Sequence, residues 1–361
     1  GDDVYVKRGT YNEEVVISGP AGSASKNTAI RSYPGHTVTI RGFGNTGRVK
    51  ITGTSYITLD GFTVTNFNQG IHVDGASHHV TVQNTIVHDV GQEGIHVKEN
   101  SSFVTVQDNT VYNTERLGGC CNGEGVYVGT STSGALDNTN NVTVRRNVIH
   151  DTTDEGIEIK PGTHDCIVEQ NTVYITNTNS DSPYAAIEVN ERDASPQTWS
   201  GNPNHLVRNN VLHDNKNGIR LGTGSTAYNN VIYNTQSGFA GILVDNLNGD
   251  SYTRSVYHNT VHMSSNAIVL DGGTAIVRNN IGSSTTGNLA FNNAYFVNAG
   301  SHDYHLVAGS PAIDAGASLV SVVAVDIQGN TRAAGAAPDL GAYEYAGPRA
   351  PGAPTNLRLL P

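Results

Sequence analysis

Along residues 154–175 apolar and polar positions first alternate and then cluster. Ile157 and Ile159 are separated by Glu158 and followed by Lys160, so an extended strand would place the isoleucines on one face and the carboxylate and amine on the other. A short turn follows, then a second apolar run at Ile167 and Val168 that ends at Asn171, then a third at Val173, Tyr174 and Ile175. Three short strands make one coil, and its charges concentrate on the first.

The coil repeats. Its first strand reads Gly70-Ile71-His72-Val73, Gly94-Ile95-His96-Val97, Gly125-Val126-Tyr127-Val128, Gly156-Ile157-Glu158-Ile159, Ala186-Ile187-Glu188-Val189, Gly218-Ile219-Arg220-Leu221, Gly241-Ile242-Leu243-Val244 and Ala267-Ile268-Val269-Leu270. A repeat of this kind fixes the fold before any other feature does. The second strand carries an asparagine at its end in seven copies: Asn109, Asn147, Asn171, Asn210, Asn230, Asn259 and Asn280. Such a column predicts an internal ladder in which each side-chain amide bonds the next coil's turn.

Composition agrees with one elongated repeat domain. The 361 residues would hold two ordinary domains, but a solenoid grows along one axis, and an apolar fraction of 37% suits coils that each bury a few aliphatic residues. The net charge of −11 argues against a nucleic-acid partner, and no apolar run approaches the roughly 18 residues of a membrane span. A monomer is expected. The sequence shows no signal peptide and starts inside what reads as a first strand, so upstream residues are expected to have been removed. Three cysteines allow one bridge at most, from Cys120 or Cys121 to Cys166, with free thiols as the alternative.

The leading segment, Gly1-Asp2-Asp3-Val4-Tyr5-Val6 with Gly9-Thr10-Tyr11, is followed by a Tyr33-Pro34-Gly35 turn and then by the eight coils. In these features the chain resembles the right-handed parallel β-helix proteins of the pectate-lyase-like superfamily. The resemblance implies an all-β fold, a right-handed single-stranded parallel β-helix over 1–285. It also implies a helix over the N-terminal end of the stack, and no amphipathic stretch here supplies one. Residues 286–346, with Ser310-Pro311-Ala312-Ile313-Asp314-Ala315-Gly316 and Pro338-Asp339-Leu340-Gly341-Ala342-Tyr343, resemble the C-terminal cap of secreted bacterial β-helix proteins. Residues 347–361 read as a linker and the start of a fibronectin type III-like module, which suggests an exported, extracellular protein.

Strands of successive coils lie about 4.8 Å apart, so equivalent outward positions form columns. One column runs His72, His96, Tyr127, Glu158, Glu188, Arg220, Leu243 and Val269, a second Gln69, Glu93, Glu124, Glu155, Ala185 and Asn217, and a third Asp74, Lys98, Gly129, Lys160 and Asn190. Glu124, Glu155, Glu158 and Glu188 fall on neighbouring coils, and two carboxylates about 5 Å apart repel by roughly 3 kcal/mol at an effective dielectric near 20. A calcium ion, a shared proton, or Lys160 and Arg220 would offset that; otherwise the residues form a solvated ladder on an exposed face. Inserts over 114–123, 129–141, 176–184 and 190–204 flank the same coils, and long loops in a compact repeat carry function. The last holds Trp199 with Arg192 nearby, a pair suited to a sugar ring and its acid group, or an aromatic that anchors its own loop. His88, His150, His213 and His262 recur along the whole helix and read as structural. No HExxH, CxxC pair or glycine-rich phosphate loop is present, so no zinc site is expected.

These features point to a secreted polysaccharide lyase that cleaves a uronic-acid glycan by calcium-assisted β-elimination. Lys160 is the candidate base, with Arg220 and Glu158 as further catalytic candidates. Glu124, Glu155, Glu158 and Glu188 are candidate calcium ligands, and His72, His96, Lys98, Tyr127, Asn190, Arg192 and Trp199 candidate substrate contacts. The spacing from Glu155 to Lys160, with Asn122 and Glu124 one coil earlier, is similar to the alginate and chondroitin B lyase family, where an acidic pair and an asparagine bind calcium and a lysine is the base. The chain departs from that pattern where the second acid of the pair falls on Thr153 and the family's arginine falls near Asn190, leaving Arg192 or Arg220 in its place. Two other classes stay open: a glycoside hydrolase using Glu158 with Glu188 or Glu124 with Glu188, and a non-catalytic glycan-binding β-helix.

Overall fold

Each coil contributes one strand to each of three sheets, because its three apolar runs are separated by turns or loops at which the chain changes direction. The computed structural model describes residues 1–19, 22–116, 122–130, 137–176, 184–189, 201–246, 251–263, 266–332, 334–345 and 347. Sheet 1 has 11 strands, from Asp3–Val6 to Ala275–Arg278; sheet 2 has 10, from Gly9–Asn12 to Thr260–His262; and sheet 3 has 10, from Val15–Ser18 to Ile268–Asp271. All neighbours within the three sheets are parallel and three strands apart in sequence, giving a right-handed parallel β-helix. No helix among the described residues is long and apolar enough to cross a membrane.

The core is a stack of aliphatic columns. Ile71, Ile95, Val126, Ile157, Ile187, Ile219, Ile242 and Ile268 pair coil to coil in one register, all buried but Ile268, which is half-buried at the end of the stack. Each fully buried aliphatic of this kind contributes about 1.5–3 kcal/mol. Sheets 1 and 2 show the alternation expected of a half-buried strand: Ile167–Glu169 and Thr172–Tyr174 each bury their middle residue only. Sheet 3 does not. In Ile95–Val97, Val126–Val128 and Ile157–Ile159 every residue is buried, so the polar side chains of the outer face are taken out of water too. This corrects the picture of a solvated charge ladder on an exposed face.

The turn from sheet 1 to sheet 2 is held by the asparagine ladder. The backbone N–H and the side-chain Nδ2 of Asn147 both donate to Asn171 Oδ1 at 3.0 Å, and Asn171 does the same to Asn210 at 2.9 and 3.0 Å. The pattern continues through Asn230, Asn259 and Asn280 to Asn288. The preceding residue is left-handed at each step, as at Arg146 and Gln170. On sheet 2 the rings of His88, Tyr112, His150, Tyr174, His213 and Tyr233 stack at 4.8–5.0 Å with planes within 11°. His262 leaves this stack for Phe291 and the Tyr304 hydroxyl.

Beyond the last coil the chain packs on the outside of coils already formed. Phe296, Tyr304, Leu306 and Leu340 cluster with Val231 and Ile281, and the fully buried Arg332 donates to Glu344 at 2.9 Å and to Asn229. Val4, Tyr5 and Val16 of the first coil are exposed. Cys166 is a buried free thiol whose pKa burial pushes up to about 12; Cys120, Cys121 and, apart from Gly347, the segment 347–361 lie outside the described residues.

Candidate active site

The polar columns of sheet 3 are set by the small residue that opens each strand. At Gly156 a Cβ would lie 2.3 Å from Val173 Cγ1 and 2.7 Å from the Ala186 carbonyl oxygen, so only glycine lets one coil sit this close to the next. The close approach fixes the register, in which Tyr127, Glu158, Glu188 and Arg220 follow one another on adjacent strands, with His72 and His96 preceding them. After the strand, Thr163 Oγ1 donates to the Lys160 carbonyl at 2.7 Å, and the equivalent Ser101 does so to Lys98. These bonds hold the turn that carries Lys160.

Four of the predicted residues make the centre. Glu124, Glu155 and Glu158 bring carboxylate oxygens within 4.8 Å of one another, all buried, and Lys160 Nζ lies 2.8 Å from Glu158 Oε1. Lys160 Nζ is also 5.2 Å from the centre of the Tyr127 ring, which packs on His96 at 4.3 Å. Glu188 lies beside Glu155 and meets Arg220 Nη1 at 3.4 Å. Arg220 is itself held by Asp245, with Nε donating to Oδ2 at 2.7 Å. Arg220 therefore neutralises two buried acids and is not presented to a ligand. Asp154 accepts from the Gly123 backbone N–H at 2.9 Å, which ties the loop before one strand to the turn before the next.

The electrostatics follow from burial and crowding. Burial, then the Glu158 charge, drives the Glu124 carboxyl well above its ordinary value; for Glu155 burial is joined by Glu158, Glu188 and Glu124. Burial also raises Glu188, with Arg220 working against it. The cluster is not stable with every carboxyl ionised and no cation beside it. Glu124 Oε2 and Glu188 Oε2 are buried with no hydrogen-bond partner, and the donors are all oxygen, so these residues fit a hard divalent cation such as calcium.

Lys98 follows the strand Ile95–Val97, with Nζ 4.0 Å from Glu99. Asn190, Arg192 and Trp199 lie outside the described residues. Asp245 and Arg48, which bonds His72 Nδ1 at 3.1 Å, belong to the same assembly and do not stand out as isolated residues. Asp245 sits three positions after Ile242, as Asp74 does after Ile71, so extending that column to the later coils would have found it.

The family model for the right handed beta helix region matches residues 13–136 and 49–194, which together span half of the chain. The chain belongs to the right-handed β-helix family. No curated protein matches it. Among solved structures this β-helix is similar to an alginate lyase from Paenibacillus sp. str. FPU-7, at 21% identity and a TM-score of 0.61 over 80% of this chain and 93% of that one. It is also similar to the pectate lyase Pel9A, at 17% identity and 0.61 over 95% and 88%, and to a rhamnogalacturonan lyase, at 17% and 0.61 over 82% and 83%. At these identities the likeness is one of fold.

Proposed function

We propose that this β-helix is a secreted polysaccharide lyase acting on a uronic-acid glycan, with its reaction centre at Lys160 on sheet 3. The observation that carries the reading is the contact of Lys160 Nζ with Glu158 Oε1 at 2.8 Å inside a buried carboxylate cluster. The likeness in fold to three lyases supports it. Lys160, at 8% exposed, is the most accessible member of the cluster, which supports it as the residue that meets a substrate.

Elimination requires a base at C5 of the uronate and a proton for the leaving O4. Lys160 must be neutral to act, and Glu158 Oε1, 2.8 Å from Nζ, is the group that would take its proton. The neutral amine then takes the C5 proton, the C4–O bond breaks as the C4–C5 double bond forms, and the resulting ammonium returns the proton to O4. Glu124, Glu155 and Glu188 would hold calcium, with Glu158 kept for Lys160; the ion when bound would neutralise the uronate carboxylate and acidify the C5 proton. Arg220 and Asp245 fix Glu188, Tyr127 packs beside Lys160, and His72 and His96 line the same face. Lys98, Asn190, Arg192 and Trp199 are the proposed outer substrate contacts.

The test is a panel of uronate and neutral glycans assayed with and without chelator. Ultraviolet absorbance from an unsaturated product, lost on chelation, is the expected result. New reducing ends without that absorbance would replace the reading with hydrolysis, and binding without turnover would replace it with a glycan-binding role.

A further inference from the structure

On the coils just before the carboxylate cluster, the same face of sheet 3 carries a group of different chemistry. His72, Glu93 and His96 are buried and offer one ligand atom each within 4.8 Å of one another. The bonding around His96 places a proton on Nε2, which donates to the Gly129 carbonyl oxygen at 2.8 Å; in the neutral ring this leaves a lone pair on Nδ1. That Nδ1 is buried without a hydrogen-bond partner and faces Glu93 Oε1 at 3.5 Å. A lone pair turned to a carboxylate oxygen in a dry site is repulsive unless a cation or a proton lies between them.

His72 presents a second buried atom without a partner, Nε2; its Nδ1 accepts from Arg48 Nη1 at 3.1 Å, so the neutral ring carries its proton on Nε2. The other oxygen of Glu93 accepts from Gln69 Nε2 at 3.2 Å.

We propose that His72, Glu93 and His96 form a site for a divalent transition metal of the zinc class, separate from the all-oxygen cluster around Glu155. Two imidazoles and one carboxylate are donors that such an ion takes, with a fourth position left for water or a ligand, whereas calcium selects oxygen alone. The Gly129 carbonyl behind His96 and Gln69 behind Glu93 are the outer partners that orient metal ligands. Arg48 gives up its bond in the metal-bound form, because the ion either takes the lone pair that Arg48 uses or sends the imidazole proton to the nitrogen that Arg48 faces. No sequence motif marks the site, since His72 lies on one coil and Glu93 and His96 on the next.

The test uses the full chain, untagged and stripped with chelator, titrated with Zn²⁺ by calorimetry and with Co²⁺ by visible absorbance. One equivalent of Zn²⁺ is expected, together with Co²⁺ ligand-field bands, both unaffected by excess Ca²⁺ and by Glu155→Gln. His96→Ala and Glu93→Gln, checked for fold by circular dichroism, are expected to weaken binding by at least about a hundredfold. If His96→Ala does not fold, Glu93→Gln and His72→Gln carry the same expectation. Absence of saturable Zn²⁺ binding would overturn the proposal and leave His96 and Glu93 as an imidazolium–carboxylate pair. So would binding that survives these variants, that is lost in Glu155→Gln, or that maps to the surface pair His78 and His79.

Discussion

Lys160 and Glu158 lie two residues apart on one face of sheet 3, and their side chains meet at 2.8 Å where both are buried. If Lys160 is the base, Lys160→Ala should lower turnover by roughly 10² to 10⁴ and leave KM little changed. If Lys160 serves only as the counter-charge of Glu158, the variant should instead be clearly destabilised, because a buried carboxylate is left unpaired, and turnover per folded molecule should hold. Turnover and thermal midpoint measured on the same preparation separate the two.

The carboxylate cluster sets a direction for stability against pH. Glu124, Glu155 and Glu188 have folded pKa values raised above the ordinary 4.5, so the native state binds more protons than the unfolded chain over the interval between. Their contribution is fully present below about 4.5 and is lost as pH rises through the raised values. The metal-free protein should therefore gain thermal midpoint as pH falls from neutral toward that value, and Glu155→Gln should flatten the slope. Calcium should reverse the slope by stabilising the ionised cluster; a slope unchanged by calcium would argue against these ligands.

Asn171 makes both of its ladder bonds in the interior, donating to Asn210 and accepting from Asn147, and a third to the Val144 carbonyl at 2.9 Å. Asn171→Ala should cost about 1–3 kcal/mol for the buried groups left without partners, read as a lower midpoint in denaturant. The same change at Asn288, at the end of the ladder and exposed to solvent on one side, should cost less.

Ile175 is left-handed, with φ of +51°, at the turn after sheet 2 where neighbouring coils place Asp151 and Asp214 in the same conformation. A β-branched residue is strained there, and this one is also 42% exposed. Ile175→Asn should raise stability by about 1 kcal/mol, visible as a higher thermal midpoint with activity unchanged.

Much of this was legible in the sequence because a repeat turns spacing into position. The aliphatic column from Ile71 to Ile268, the asparagine ladder, and the columns that bring Glu124, Glu155, Glu158 and Glu188 together all follow from aligning the coils. The parallel register then places aligned residues side by side. What alignment does not carry is the direction and burial of side chains on the outer face. The alternation of Ile157, Glu158 and Ile159 predicts one wet face, yet all three are buried, because the polar side chains of successive coils pack against one another. The bonds of Arg220 to Asp245 and of Arg48 to His72 join residues 25 and 24 apart in the chain. Which acid or imidazole a long side chain reaches depends on its rotamer and on the turn beside it, and neither is fixed by the period of the repeat. The sequence determined the helix and its columns; the tertiary structure decided which charges are neutralised, and which buried polar atoms, at His96, Glu124 and Glu188 among others, are left without a hydrogen-bond partner.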